Sequence, residues 1–285
     1  MRNLLIVLAT IVISPIIGGL IAGIDRKITA RMQNRFGPPI LQPFYDVVKL
    51  FSKESIAVSN SQFLYVILFF IFNIVALILF VLKMDLLLIL FILAFAITAL
   101  ILGAMSTKSP FSRIGAHREL ISMLAYEPIL IAVVVGIYFV VGSFNIDKVL
   151  ETKKMLFVEL PLVFFAFSYV LTIKFRKSPF DLSTSHHGHQ ELVKGITTDF
   201  SGPMLGLIEI AHWYETVLLL LFVYLFFANN LFIAIIAIVA CYFAEILIDN
   251  ISARLTWKIM LKLTWSIALS AALVNLIWVY LKYRA

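Results

Sequence analysis

Long apolar runs alternate with short polar segments along almost the whole chain. Each run is about 20 residues long, which is what an α-helix needs to cross a hydrocarbon core of about 30 Å. Strands of a membrane barrel would be shorter and would alternate apolar with polar residues. The pattern therefore predicts an all-α polytopic membrane protein, a single integral-membrane domain over residues 1–285, with about eight spans at residues 4–24, 62–82, 85–105, 119–142, 156–175, 203–228, 230–249 and 263–282.

The segment between the first two spans contains a helix of another kind. Its apolar residues recur at helical spacing and predict an amphipathic helix at the membrane surface: Ile40, Phe44, Val47, Val48 and Phe51. A rigid basic turn at residues 35–39 (RFGPP) precedes it, because proline fixes its own backbone and restricts the residue before it. Anionic lipid headgroups explain the basic residues, whereas a docked partner protein also explains the rigidity.

A polar stretch from Ser178 to Gly202 interrupts the apolar pattern between the fifth and sixth spans. Its histidines, His186, His187 and His189, would ligate a metal only if they converged with a fourth ligand such as Glu191 or Asp199. Pro179, Asp181 and Ser183 suit the start of a short helix. Closely spaced histidines are weak support for a metal site, and we favour a protonatable lining that faces a partner protein.

Composition excludes an ordinary soluble domain. The chain is 62% hydrophobic and 14% charged, with a mean hydropathy of +1.03. Its one cysteine, Cys241, lies in an apolar run, so this chain alone cannot build a disulfide framework or a cysteine-ligated cluster. It contains no phosphate-binding glycine loop and no nucleophile elbow. We therefore expect no bound metal or cofactor and no catalysis by this subunit on its own.

The formal charge of +7 indicates a topology. The predicted loops at about 25–61, 106–118, 176–202 and 250–262, with the helix ends that enter them, hold 16 of the 23 lysines and arginines. The positive-inside rule then predicts that these odd-numbered loops are cytoplasmic and that both termini lie outside the cell membrane. The first span is too long for a signal peptide and is expected to be retained.

Acidic residues inside the predicted spans are the candidate chemistry. Glu119 lies at the mouth of the fourth span and Glu127 about two turns deeper, on nearly the same helix face. A carboxylate in hydrocarbon costs several kcal/mol unless it is protonated, paired or hydrated, so it indicates function. The sixth span carries Glu209, His212 and Glu215 one turn apart, and the seventh adds Glu245 and Asp249.

Two interpretations of these acids remain open. Imidazole and carboxyl groups in a low-dielectric setting can pass protons in steps. A static buried salt bridge is the competing account. We favour a proton or ion path because the acids lie deep in several spans of one chain: Glu119, Glu127, Glu209, His212, Glu215, Glu245 and Asp249.

The order of these motifs resembles one family, the proton-translocating membrane subunit shared by respiratory complex I and energy-converting membrane-bound NiFe hydrogenases. The likeness rests on RFGP at 35–38 with the segment 41–54, on Arg118 and AYE at 125–127, and on PFDL at 179–182 with DFSG at 199–202. In that family the first and third cytoplasmic loops dock the electron-transfer arm. The resemblance implies docking roles for Arg35, Phe36, Gly37, Pro38, Asp46, Lys49, Arg118, Asp181, His186, His187, His189, Glu191 and Asp199.

Two departures favour the hydrogenase branch. Quinone-reducing members carry an acidic run after the Pro-Phe-Asp motif, whereas this chain has its histidines there, and His212 occupies the place of a family glutamate. The sequence of residues 185–193 (SHHGHQELV) resembles the Ech-type branch, in which ferredoxin oxidation is coupled to H₂ evolution and to H⁺ or Na⁺ translocation. That resemblance implies membrane lipid, no nucleic acid, and partners that hold the NiFe centre and iron–sulfur clusters: a hydrogenase large subunit, a small iron–sulfur subunit, a ferredoxin-like subunit and antiporter-like membrane subunits.

Two alternatives stay open. A quinone-reducing complex I-type subunit would form a quinone cavity. A stand-alone secondary transporter is less favoured, because residues 1–142 and 143–285 show no internal repeat of the kind that such transporters carry.

Subunit identification separates these interpretations. When the intact complex is purified and its subunits are identified by mass, we expect a large subunit with the four cysteines of a NiFe site. A homologue without those cysteines, isolated with bound quinone, would contradict the hydrogenase interpretation.

Overall fold

The computed structural model describes residues 2–56, 59–152, 154–183 and 195–284, and no strand lies in these ranges, so the all-α prediction is confirmed. A 3₁₀ turn covers Gly195–Thr197 and a π-helical turn covers Thr264–Leu269. The α-helices are α1 (Arg2–Met32), α2 (Gln42–Phe51), α3 (Asn60–Val81), α4 (Leu86–Met105), α5 (Pro110–Val141), α6 (Ile146–Glu151), α7 (Leu156–Glu159), α8 (Pro161–Lys174), α9 (Gly202–Phe226), α10 (Leu231–Ile251), α11 (Trp257–Leu263) and α12 (Ser270–Arg284).

Seven helical stretches in the described part of the chain are long and apolar enough to cross a membrane. They are α1, α3, α4, α5, α9, α10 and the continuous stretch Trp257–Tyr283, in which the π-helical turn joins α11 to α12. The predicted polytopic membrane protein is thereby confirmed.

The predicted fifth span is broken. In place of one helix over 156–175 there are α7 and α8, separated at Leu160. Pro161 has no N–H and restricts the residue before it, and Leu160 leaves helical geometry with φ −126° and ψ 49°. The remaining α8 has 14 residues, or about 21 Å at helical rise, which is shorter than the hydrocarbon core.

Helices α1 and α5 extend beyond the predicted spans. Helix α1 continues to Met32 instead of ending at residue 24, and α5 begins at Pro110 instead of residue 119, so most of the predicted loop 106–118 is helical. The added turns carry basic residues. Such residues form helices well and extend their charged ends into the headgroup region, so a helix continues where an apolar run stops.

The chain divides into two compact units. Unit 1 comprises Met1–Ile78, Ile92–Ile121 and Asp181–Val217, and in it α2 packs closely on α1. A Cβ atom on Gly19 would lie 2.5 Å from the Phe44 ring, and one on Gly23 would overlap the carbonyl of Ile40. The close contact of α2 with α1 therefore depends on these glycines.

Unit 2 comprises Leu79–Phe91, Ser122–Phe180 and Leu218–Ala285. Within it α8 packs mainly against α12. Two reciprocal backbone hydrogen bonds also join the α3–α4 and α5–α6 connections: Leu86 N–H donates to the Phe144 carbonyl at 3.0 Å and Ile146 N–H donates to the Met84 carbonyl at 3.3 Å. At the far end, Lys282 forms a 2.6 Å ion pair with Glu159.

The broken fifth span is capped by a residue from another helix. Asn275 of α12 is 3% exposed, and its Oδ1 accepts hydrogen bonds from the N–H groups of Leu162 and Val163 at 2.9 and 3.2 Å. Its Nδ2 donates to the Glu159 carbonyl at 3.2 Å. The backbone groups left unpaired at the break are thus satisfied by one buried side chain.

Asn275→Leu is expected to destabilise the protein by about 1–2 kcal/mol, because it leaves two helix N–H groups without an acceptor in an apolar setting. Thermal unfolding of the full chain in detergent measures the effect. Asn73→Leu is the matched control: Asn73 is 1% exposed, its Oδ1 has no hydrogen-bond partner in the described residues, and its amide bonds only to its own helix. That control should be neutral or stabilising, and equal destabilisation by both variants would contradict the capping role.

Candidate functional site

The sixth predicted span corresponds to α9, and it brings two of its three titratable residues together. His212 Nδ1 lies 3.3 Å from Glu215 Oε2, one turn away. Glu215 is 5% exposed, and the His212 ring meets the edge of Phe69 at a centroid distance of 5.3 Å. An imidazole held against a buried carboxylate can exchange a proton with it. Glu209, one turn earlier, instead lines a cavity of unit 1.

This cavity has a volume of about 350 Å³ and is built by three helices of unit 1. Helix α1 contributes a small residue and a cation, α2 contributes an apolar wall with charged neighbours, and α9 closes the opposite side. Its lining consists of Ala22, Arg26, Pro43, Asp46, Val47, Lys49, Leu50, Lys53, Leu205, Glu209 and Trp213. The sequence does not predict this cavity, because its shape depends on how α2 packs on α1 and α9.

The Asp46 carboxylate joins α1 to α2 at this cavity. Arg26 Nη1 donates to Asp46 Oδ2 at 2.7 Å, and Gln42 Nε2 donates to Asp46 Oδ1 at 2.9 Å. Partial burial by itself raises the Asp46 pKa, but the hydrogen bonds from Arg26 and Gln42 and the charges of Arg26 and Lys49 outweigh it, so the pKa lies below its ordinary value of 3.8. Asp46 is therefore ionised at neutral pH.

The downstream end of the polar stretch packs on the start of α5. Ser112 Oγ donates to Asp199 Oδ2 at 2.5 Å, and Gln62 Nε2 donates to the Asp199 carbonyl at 2.9 Å. A Cβ atom on Gly115 would overlap the backbone of Ile196. The predicted docking residue Asp199 thus holds its own loop in place within unit 1.

Three further predicted residues lie in unit 1. Arg118 Nη1 donates to the Leu182 carbonyl at 3.3 Å, which holds the beginning of the polar stretch against α5. Glu119, the next residue, is 5% exposed. Asp181 is also buried, at 9% exposure.

The basic turn before α2 presents an exposed aromatic ring. Phe36 is 94% exposed, and the Arg31 guanidinium lies 5.2 Å from its ring centroid. Arg35 hydrogen-bonds to Gln33, and Gly37 packs against α1 near Ala30. Such an exposed ring beside cations suits contact with another molecule.

Glu127 lies in unit 2 beside a cation that sequence analysis did not connect with it. Its Oε1 is buried and has no hydrogen-bond partner in the described residues. Lys174, at the end of α8, is close enough to interact electrostatically with it. Lys174 is 7% exposed, and its Nζ lies 4.8 Å from the Tyr126 ring centroid and 3.5 Å from the Tyr126 hydroxyl.

Glu245 and Asp249 also lie in unit 2, one turn apart on α10. Glu245 is 3% exposed, and its Oε2 has no hydrogen-bond partner among the described residues. Asp249 Oδ1 accepts a 2.8 Å hydrogen bond from the Ser178 N–H. Lys177 is the cation that interacts with Glu245, and its Nζ lies 4.7 Å above the Tyr242 ring.

The two lysines were missed because their partners lie on other helices. The signal in the sequence was present: Lys174 ends an apolar helix and Lys177 follows it closely. A lysine at such a position more often extends to the headgroups. Here both are 7% exposed, and only the tertiary structure shows that.

The predicted histidines His186, His187 and His189, together with Glu191, lie outside the described residues. Within residues 2–56, 59–152, 154–183 and 195–284, no group of three or more His, Cys, Asp or Glu side chains is placed to hold a metal ion.

Comparison with known proteins gives concordant matches. The family model described as NADH dehydrogenase matches residues 4–280. Hydrogenase-4 component C of Escherichia coli (strain K12) is 28% identical over 305 residues, which cover 96% of this chain and 94% of that protein. NADH-ubiquinone oxidoreductase chain 1 of Paracentrotus lividus is 29% identical over 235 residues, covering 73% and 72% respectively.

A solved structure is also similar. A chain in the membrane-bound sulfane sulfur reductase, an archaeal respiratory membrane complex, superposes with a TM-score of 0.89 at 27% sequence identity, covering 98% of this chain and 100% of that chain.

Asp46→Asn should lower stability by less than about 1 kcal/mol at neutral pH, because the Arg26–Asp46 pair is exposed to solvent. Since the Asp46 pKa is lower in the folded than in the unfolded state, the pair's contribution is complete above the unfolded-state value and is lost as pH falls through the folded-state value, below 3.8. Thermal unfolding as a function of pH should show this loss only in the acid range.

A double-mutant cycle with Arg26→Gln provides the control. If the pair stabilises unit 1, the double variant loses less than the sum of the two single variants at neutral pH. Strict additivity, or a loss that grows as pH rises, would contradict the assignment.

Proposed function

The chain belongs to the NADH dehydrogenase family, and from this premise we propose that it is the ion-translocating membrane subunit of an energy-converting hydrogenase complex. The observation that carries the proposal is the presence, inside apolar spans, of carboxylates that each have one buried oxygen without a hydrogen-bond partner in the described residues. Glu127 Oε1 and Glu245 Oε2 are such groups. A carboxylate in hydrocarbon is costly unless it is protonated, hydrated or matched by a cation, and a group whose protonation depends on such partners suits the uptake and release of ions.

Unit 1 contributes the second set of groups to the proposed path. The His212–Glu215 pair, at 3.3 Å, offers an imidazole and a carboxyl that can share one proton. Glu209 faces the cavity, and Glu119 is buried near the start of α5. We propose that the part of the ion path in unit 1 consists of Glu119, Glu209, His212 and Glu215. The part in unit 2 consists of Glu127, Glu245 and Asp249.

The lysines of unit 2 give the proposed path a means of control. Lys174 acts on Glu127, and Lys177 acts on Glu245. Both lysines are held over tyrosine rings, Lys174 over Tyr126 and Lys177 over Tyr242. A small displacement of either ammonium group would change how readily its carboxylate ionises, because Coulomb interactions are strong where the dielectric is low.

Partner docking is the second part of the proposal. The turn with the exposed Phe36 and the polar stretch anchored by Arg118 and Asp199 are the proposed contact surfaces. Redox partners would hold the NiFe centre and the iron–sulfur clusters, and antiporter-like subunits would continue the ion path in the membrane. Ser178 is the first residue of the polar stretch, and its N–H donates to Asp249 of the proposed ion path. This hydrogen bond joins the start of the proposed docking segment to the path.

The proposed location is the cell membrane, with both termini outside and the odd-numbered loops in the cytoplasm. The seven long apolar helices of the described residues support a membrane-integral protein. The distribution of basic residues supports the orientation.

The second candidate is a quinone-reducing subunit of the complex I type. Similarity to NADH-ubiquinone oxidoreductase chain 1 favours it, as does the unit 1 cavity of about 350 Å³. Similarity to hydrogenase-4 component C extends over more of this chain, 96% against 73%, and favours the hydrogenase.

Glu127→Gln tests the ion path. Glutamine keeps the size and polarity of the side chain but cannot release a proton. In the intact complex reconstituted into vesicles, we expect the rate of ion translocation to fall by about 10²-fold, the low end of what a positioned proton-transfer group contributes to a rate. Assembly and electron transfer from reduced ferredoxin should persist.

Glu151→Gln is the matched control, because Glu151 is an exposed acid of α6 outside the proposed path. It should pump normally. Normal pumping by Glu127→Gln would contradict the path, and loss of assembly in that variant would show that Glu127 is structural.

A further inference from the structure

The unit 1 cavity joins an apolar wall to a set of cations. Pro43, Val47 and Leu50 of α2 face Leu205 and Trp213 of α9 across it. Its charged lining consists of Arg26, Lys49, Lys53, Asp46 and Glu209. A cavity with one apolar side and one charged side suits an amphiphile.

The charges do not cancel within the cavity. Arg26 and Asp46 neutralise each other at 2.7 Å. Lys49 also interacts electrostatically with Asp46, but among the described residues neither its ammonium group nor that of Lys53 forms a salt bridge or a side-chain hydrogen bond. Glu209 is the other acid in the lining, so the cations outnumber the anions. An anionic group on the ligand would complete the balance.

Helix α2 lies where lipid headgroups are expected. One apolar face is turned inward, with Val47 buried at 8% exposure. Its outer face is apolar too: Leu41, Tyr45 and Val48 are 49%, 59% and 67% exposed. Val48, one of the residues predicted to form the apolar face of this amphipathic helix, lies on the outer side. Such a helix is stable at the boundary between headgroups and acyl chains.

The cavity is preformed by close packing. The Phe51 ring lies 3.1 Å from the place of a Cβ atom on Gly206, which fixes the end of α2 against α9. The Phe44 and Trp213 rings meet at a centroid distance of 5.2 Å, which fixes its beginning. A ligand would thus enter a shaped site with little reorganisation.

We propose that this cavity binds an anionic phospholipid, with the phosphate between Lys49 and Lys53 and the first part of an acyl chain against the apolar wall. A volume of about 350 Å³ is at the small end for ligand sites, so only the headgroup and the adjoining methylene groups fit and the rest of the lipid stays in the bilayer. The lipid bridges α2 to α9. The site shares Glu209 with the proposed ion path and shares Asp46 and Lys49 with the predicted docking residues.

Native mass spectrometry of the full chain tests the proposal. The protein is purified in neutral detergent and mixed with equimolar phosphatidylglycerol and phosphatidylcholine that have the same acyl chains. We expect retained phosphatidylglycerol to exceed phosphatidylcholine by on the order of tenfold, since each lysine near an anionic lipid adds to its attraction. A photoactivatable phosphatidylglycerol should crosslink to peptides of α2 and α9.

Two variants separate the charges from the wall. Lys49→Gln with Lys53→Gln should abolish the preference for phosphatidylglycerol, whereas Lys27→Gln with Lys108→Gln, two exposed lysines outside the cavity lining, should keep it. Ala22→Phe fills the cavity without changing its charge, and should reduce retention of the lipid. Use of the isolated chain keeps any docking role of Lys49 out of the result.

Several outcomes would overturn the proposal. Equal retention of both lipids by the wild type would do so, as would crosslinks confined to other helices or full retention by Ala22→Phe. Displacement of the lipid by free glycerol phosphate would assign the site to a soluble phosphate compound. Retention of a quinone that is insensitive to Lys49 and Lys53 would assign it to a neutral ligand.

Discussion

The cost of placing charge in hydrocarbon governs this structure. Carboxylates in the apolar spans must be protonated, hydrated or matched by a cation. The partners of these carboxylates differ from one residue to the next. Glu215 lies within hydrogen-bond distance of the His212 imidazole, and Asp249 accepts a backbone hydrogen bond from Ser178. Glu127 and Glu245 each keep one oxygen without a hydrogen-bond partner in the described residues, with a lysine held nearby over a tyrosine ring. Burying these two carboxyl oxygens without a hydrogen bond costs free energy. A role in function therefore explains the two residues better than a role in packing does.

Small residues make the unit 1 site possible. Gly19 and Gly23 of α1 leave space for Phe44 and for the backbone of Ile40, and Gly206 of α9 leaves space for Phe51. Larger side chains would push α2 away from both helices and open the cavity. The Arg26–Asp46 pair then fixes the rotation of α2, although an exposed pair contributes little energy. Packing sets the shape of the cavity, and charge sets what can bind in it.

Backbone hydrogen bonding decides how the fifth span is built. A broken helix in a membrane leaves N–H and C=O groups that water cannot reach, so another part of the protein must satisfy them. Asn275 does so from α12, and the ion pair of Glu159 with Lys282 lies beside it. A polar residue in an apolar helix is thus explained by the break in a different helix.

The sequence by itself determined the all-α membrane fold, the amphipathic helix and the acids of the spans, because length, hydropathy and charge are local properties. It did not predict the break in the fifth span, because neither Pro161 alone nor the sequence around it shows that Asn275 caps the broken end. Helix ends were misplaced at Met32 and Pro110, since a helix continues through charged residues that end an apolar run. Only the tertiary structure decided that Val48 faces outward, that Glu209 lines a cavity, and that Lys174 and Lys177 are buried beside acids. Each of these depends on the rotation of one helix against another, and that rotation is fixed by contacts between residues far apart in the chain.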